Sequence, residues 1–204
     1  MEAVLKQTIS NMEKRGFEVV QVKTAADAQA FLLDRIETGK SIGAGGSVSI
    51  REIEILPELE KKGCTVYTHW NAKGDEAEAL MRKAREADIY LCSVNAIAKT
   101  GQLVMIDGRG NRVGAICDGP HEVYLVVGQH KVVDGGLNAA IARVKKEATP
   151  PNCRRLGLNT PCAATGKCAG MDCPDSSCRI IVALDWVPRK RKITVVLVEE
   201  KLGY

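Results

Sequence analysis

The sequence predicts an α/β protein, built on a mostly parallel sheet with helices on both faces. Three observations carry that expectation. From Glu2 to Ser93, segments with helical apolar spacing alternate with short β-branched runs. At Ser41–Glu52 a strand passes into a glycine-rich turn and then a helix start, the local signature of a strand–helix unit. Glu122–Val127 is a near-continuous apolar run, as a strand buried on both faces requires.

Taken in order, Glu2–Arg15 places Val4, Leu5, Thr8, Ile9 and Met12 on one helical face, with Gly16 suited to its end. Phe17–Val22 reads as a strand. Thr24-Ala-Ala-Asp27 reads as a capping box, with Asp in place of Glu, opening a helix to about Glu37 that Gly39 ends. Ser41–Ser47 is a short strand and glycine turn, and Ser49-Ile-Arg-Glu52 reads as a second capping box. The helix it starts is expected to kink or split at Pro57 and to close at Gly63, before a strand at Cys64–Thr68. Gly74–Ala87 is a helix with Ala77, Leu80, Met81 and Ala84 inward, and Asp88–Ser93 is the next strand.

Beyond Ser93 the alternation changes. Leu103–Asp107 and Arg112–Cys117 read as two antiparallel strands around a glycine hairpin at Gly108–Asn111. After the buried strand at Glu122–Val127, a helix is expected from about Gly136 to Glu147, and strands at Arg179–Leu184 and Ile193–Val198. Residues 152–178 form a cysteine-rich loop inserted between these elements, so the whole of 1–204 is expected to be one domain.

Composition narrows the function classes. With 204 residues, 45% of them apolar and 26% charged, the chain suits one globular core, folding alone or as a homo-oligomer. The net charge of +4 is spread over the chain apart from Arg189-Lys-Arg-Lys192, and no aromatic platform accompanies that run, so no nucleic-acid partner is expected. The N-terminus lacks the basic and apolar regions of a signal peptide, and no apolar run approaches the ~18 residues of a membrane span. The expectation is a cytoplasmic protein without membrane insertion, in a compartment where clustered cysteines favour metal or redox chemistry over disulfides.

Five of the eight cysteines fall between Cys153 and Cys178. Cys162, Cys168, Cys173 and Cys178 form a set that can close a tetrahedral site, with no histidine nearby. It suits an iron–sulfur cluster or zinc, and free or oxidised thiols are the other reading. Cys153 lies outside the tight spacing and is taken as a non-ligand. Cys64, Cys92 and Cys117 sit in apolar stretches, where cysteine serves as a small buried residue.

For a small-molecule site, Gly45, Gly46 and Ser47 form a strand-to-helix loop able to present backbone N–H groups to an anion. The bland reading is a tight turn. Asn95, Lys99 and Thr100 follow a buried strand, at the carboxyl end where open α/β sheets bind ligands, or else they form an ordinary turn. Asp107, Asn111 and Arg112 are polar groups able to face a pocket, with the flanking glycines serving the turn. His121 and His130 titrate in a useful range but have no partner in the sequence, and a structural histidine is the simpler reading for each.

The stretches Ser93–Asp107, Gly108–Ala115, Gly119-Pro120 and Val126–Val133 closely resemble the lactate-utilisation (LUD) domain family, as do Gly45-Gly-Ser47, Thr160–Cys168 and Leu202-Gly-Tyr204. The resemblance implies a three-layer fold of the NagB/RpiA/CoA transferase-like group. It also implies binding of a small anionic metabolite and a part in oxidising lactate or a related hydroxy acid, alongside iron–sulfur partner proteins. Two alternatives stay open: a CoA- or sugar-phosphate-handling enzyme with a structural cysteine loop, and a non-catalytic zinc- or redox-sensing subunit.

Overall fold

The computed structural model describes residues 2–204. Its strands are β1 (Glu18–Val22), β2 (Ser41–Ala44), β3 (Thr65–Thr68), β4 (Ile89–Cys92), β5 (Ala96–Ala98), β6 (Leu103–Asp107), β7 (Glu122–Gly128), β8 (Val132–Val133), β9 (Ile180–Leu184) and β10 (Lys192–Val198). Its helices are α1 (Glu2–Lys14), α2 (Ala25–Arg35), α3 (Val48–Glu52), α4 (Ile55–Lys61), α5 (Gly74–Arg85), α6 (Asn111–Asp118), α7 (Leu137–Arg143), α8 (Thr149–Arg155) and α9 (Pro161–Thr165).

Six strands form one parallel sheet in the order β1-β10-β7-β4-β2-β3. Alternation along its central strands divides the core in two. Val123, Leu125 and Val127 of β7 and Tyr90 and Cys92 of β4 join a cluster with Met12, Phe17 and Ile116. Their neighbours Tyr124, Val126, Ile89 and Leu91 point the other way, to Leu32, Ile50 and Leu59 of α2, α3 and α4. Burying a Val or Leu on either face contributes about 1.5–3 kcal/mol, which is why β7 carries almost no polar side chain. The expected fold class is therefore the observed one.

A second sheet, β8-β5-β6-β9, packs over the first cluster, and its far face of Ala96, Ala98 and Val104 meets Ala140, Val144 and Ala148. Here two expectations are corrected. The antiparallel hairpin is β5–β6, turning at Gly101 with φ +93, and Arg112–Cys117 is helical instead of a strand. Val113 and Ile116, three apart, share a helical face, whereas Val113 and Ala115, two apart, also fit a strand, so the apolar pattern of this stretch admits both. The partner that β6 takes on its other edge is β9, in antiparallel register from Leu103↔Leu184 to Asp107↔Ile180.

The helix expected to stop near Glu147 instead continues from α7 through a π turn at Val144–Ala148 into α8. Pro150 falls in the first turn of α8, where a missing N–H is tolerated after the widened turn, so Cys153 is helical and fully buried. Two helix starts also move. Ser47, not Ser49, caps α3, its hydroxyl accepting from the Ile50 N–H at 3.3 Å, and the split before α4 falls at Glu54 with Pro57 beyond it. Thr24 and Asp27 form the expected capping box of α2.

Candidate functional site

A cleft of about 440 Å³ opens at the carboxyl ends of the parallel strands. Ser47 follows β2, Ser93 follows β4 and Lys131 follows β7, and all three line it, with Gly203 and Tyr204 beyond β10. That is where an α/β sheet leaves a crevice, because each chain must turn away from the sheet edge. The far wall comes from the second sheet and from the long α7–α8 helix: Asp107 at the end of β6, Asn111 and Arg112 at the start of α6, and Arg155.

Asn95, Asp107 and Arg112 make one hydrogen-bonded unit. The Arg112 Nε donates to Asp107 Oδ1 at 2.8 Å, and Nη2 donates to the same oxygen at 2.5 Å and to Asn95 Oδ1 at 2.7 Å. Asn95 Oδ1 also accepts from the Ile106 N–H at 3.1 Å, and Asp107 Oδ2 from the Val113 N–H at 3.1 Å. The unit ties β6, α6 and the segment after β4 together, and it spends the charge of Asp107 on Arg112.

Lys131 forms the floor. It is 3% exposed, and its Nζ donates to Ser49 Oγ at 3.1 Å, Ser93 Oγ at 3.2 Å and the Val94 carbonyl at 3.5 Å. Burial first, then the nearby Arg143 and Arg112, push its pKa down to about 7. The chain end folds over it: a Cβ on Gly203, whose φ is +62, would stand 2.6 Å from Ser49 Oγ and 3.1 Å from Nζ. At the rim, burial and then Arg109 hold the His69 pKa below its usual value. Next to it the Trp70 ring is contacted by the guanidinium groups of Arg51 at 4.1 Å and Arg155 at 4.9 Å from its centroid.

Of the residues singled out from sequence, Gly46, Ser47, Asn95, Asp107, Asn111 and Arg112 line this cleft. Gly45, Lys99 and Thr100 fall outside it. Gly45 is a packing glycine, since a Cβ there would stand 2.6 Å from the Tyr90 hydroxyl. Lys99 pairs with Asp134 at 2.9 Å, and Thr100 turns the β5–β6 hairpin beside Gln102. His130 is walled in, with neither ring nitrogen partnered, and burial lowers its pKa to about 4. Lys131, Ser49, Ser93 and His69 are the residues that sequence reasoning missed. The one available signal for Lys131 was its place just beyond the buried strand, the same logic that singled out Asn95.

A second cavity of about 90 Å³ is lined by Cys162, Cys168, Cys173 and Cys178 together with Cys153. The residue that spacing set apart thus joins the other four, because the continued helix carries it inward. Cys153 Sγ lies 3.1 Å from Ser177 Oγ, and burial raises the pKa of Cys162, with Cys153 and Cys173 adding to the rise against the Thr160 hydroxyl. All eight cysteines are free. Among the described residues, no group of three or more His, Cys, Asp or Glu side chains stands close enough to hold a single metal ion. Thr149, Ser176 and Ser177 line both cavities, so the two adjoin. Cys64 and Cys92 are buried as expected, and burial raises the Cys92 pKa to about 11, while Cys117 is half-buried on α6.

Fold and cleft together define an α/β protein with an open cleft at the carboxyl edge of a parallel sheet. The LUD domain matches residues 5–198, and the chain belongs to that family. A DUF162 family protein from Deinococcus radiodurans superposes with a TM-score of 0.55 at 16% identity, covering 97% of each chain. Ribose 5-phosphate isomerase A from Methanocaldococcus jannaschii matches 53% of each chain at 19% identity, with a TM-score of 0.35. No curated protein matches. Among the described residues no helix is long and apolar enough to cross a membrane.

Proposed function

We propose that the cleft binds a small anionic metabolite and that the protein takes part in the oxidation of lactate or a related hydroxy acid. The observation that carries this reading is the charge balance of the cleft wall. Arg155 and Arg179 line it in no ion pair among the described residues, Lys131 lies at its floor and Arg109 is paired with Glu78, whereas Asp107 is neutralised by Arg112 and Asp175 accepts from the Asn159 N–H. A carboxylate entering this space meets an excess of cationic donors, and the hydroxyls of Ser49 and Ser93 suit a hydroxyl or carbonyl beside it. LUD family membership supports the choice of a hydroxy acid.

The thiol cavity fits a metal centre in its donor chemistry, since Cys162, Cys168, Cys173 and Cys178, with Cys153 as a fifth, surround it without a competing imidazole. Its 90 Å³ is several times the ~10–15 Å³ that holds one water, and an all-thiolate lining suits an iron–sulfur centre as well as zinc. When bound, such a centre would supply one-electron transfer beside the cleft. Iron–sulfur partner proteins would then be the onward acceptors.

Thermal-shift titration with lactate, pyruvate, a CoA ester and a sugar phosphate tests the cleft. Lactate and pyruvate at about 100 times Kd stabilise by about 2.7 kcal/mol, and Lys131→Met removes the effect. Stabilisation by the CoA ester or sugar phosphate alone would transfer the site to the other enzyme class. Iron content and visible absorbance of anaerobically purified protein test the thiol cavity: a colourless, iron-free protein sinks the iron–sulfur reading, and zinc in its place supports a sensing subunit.

A further inference from the structure

We infer that Lys131 is a nucleophilic amine that forms an imine with the carbonyl carbon of a small 2-oxo acid or carboxylate-bearing aldehyde held in the cleft. This rests on the anion-binding reading above and adds a covalent step to it. A lysine that serves only to stabilise a fold is seldom buried without a carboxylate, because its charge loses hydration and gains nothing in return. Lys131 is 3% exposed, yet its hydrogen-bond partners are two hydroxyls and one carbonyl.

The groups that influence it from neighbouring elements are Arg143 and Arg112, which disfavour its charge, and the more weakly acting Glu52 and Cys92, which favour it. A desolvated amine beside other cations is neutral at a pH where a surface lysine is not, and the neutral form carries the lone pair needed for attack. Lys131 is one of the residues that line the cleft, and its amine is held there by the hydroxyls of Ser49 and Ser93, which line the same space. Such an amine next to ligand-sized space is more readily explained by chemistry than by packing.

The step balances without an added oxidant or reductant. The Nζ lone pair bonds to the carbonyl carbon while the carbonyl π pair moves to oxygen. A proton passes from nitrogen to that oxygen, giving a carbinolamine. The remaining N–H proton passes through a hydroxyl relay to the carbinolamine oxygen, and water leaves as the nitrogen lone pair forms the C=N bond. Ser49 and Ser93, each within 3.2 Å of Nζ, are amphoteric hydroxyls placed to carry these protons. Arg155 and Arg179 remain on the same wall for the substrate's carboxylate.

The test is reductive trapping of the full chain with pyruvate or glyoxylate and cyanoborohydride, followed by peptide mapping. One reduced adduct per chain is expected, on Lys131, suppressed by excess lactate, which has no keto or aldehyde group, and lost in Lys131→Arg. Adducts scattered over surface lysines such as Lys99 and Lys145 overturn the proposal. Thermal stabilisation by both pyruvate and lactate without an adduct overturns the imine and leaves the anion site standing. Absence of both stabilisation and adduct overturns the two together. Mapping of the unmodified chain decides even if the arginine variant does not fold.

Discussion

Asp107 and Arg112 lie 2.5 Å apart, with side chains only 7% and 15% exposed, and the same guanidinium holds Asn95. The pair shows how polar residues are used in this cleft: Asp107 and Asn95 build the wall with Arg112, while Lys131 forms the floor with no carboxylate among its hydrogen-bond partners.

Removing Arg112 strands a buried carboxylate. Arg112→Ala is expected to lower unfolding free energy by about 3–5 kcal/mol, read as a lower denaturant midpoint at unchanged m-value. Asp107→Asn keeps an acceptor for the Val113 N–H and is expected to cost less. Equal, negligible losses in both variants would show that the unit does not hold the wall.

Lys131 imposes a pH dependence whose sign follows from its depressed pKa. The unfolded chain holds the proton up to about 10.5, the folded chain only to about 7, so the unfolded state binds more protons between those values. Stability from this group therefore rises with pH across that window, by something on the order of 4–5 kcal/mol in full, and is lowest below pH 7. Chemical denaturation of wild type and Lys131→Met at several pH values checks it, because the rise belongs to the difference between the two curves.

His130 acts on the acid side. Its folded pKa of about 4 lies below the ordinary 6.5, so the unfolded state takes up the proton first and stability falls as pH drops through that range. His130→Leu is expected to flatten the acid limb of the stability curve, and an unchanged limb would mean that the ring finds a partner.

Gly45 and Gly46 are separated by one bond and by function. Gly45→Ala meets the Tyr90 hydroxyl at 2.6 Å and Cys92 Sγ at 3.0 Å, and overpacking of that kind costs about 1–3 kcal/mol. Gly46→Ala meets nothing nearer than His69 Nε2 at 3.7 Å, so its stability is expected to stay close to wild type while ligand stabilisation weakens. Paired thermal-shift measurements with and without pyruvate separate the two.

Cys153 belongs with the loop thiols. In anaerobically prepared protein, Cys153→Ser and Cys162→Ser are each expected to lower bound metal, whereas Cys64→Ser and Cys117→Ser leave it unchanged. Elemental analysis of the four variants reads the outcome directly, and full metal retention in Cys153→Ser would restore the four-cysteine set.

The alternation of strand and helix, the doubly buried strand at Glu122–Gly128 and the capping box at Thr24 were legible in the sequence, because period and cap chemistry are local properties. So was part of the cleft, since Ser47 and Asn95 sit just beyond apolar strands and strand ends are where such sheets bind ligands. The helical state of Arg112–Cys117 was not, because Val113 and Ile116 fit a helix while Val113 and Ala115 fit a strand, and only the edge of β6 taken by β9 decided between them. Nor was the placement of Cys153, which depends on a π turn carrying a helix past two prolines. Lys131 is the clearest case. Residue type and position say only that a lysine follows a strand; its burial, its two serine partners from β4 and α3 territory and its adjoining cations are brought together by packing, and it is that loss of water, invisible in a linear string, that loosens the amine's hold on its proton.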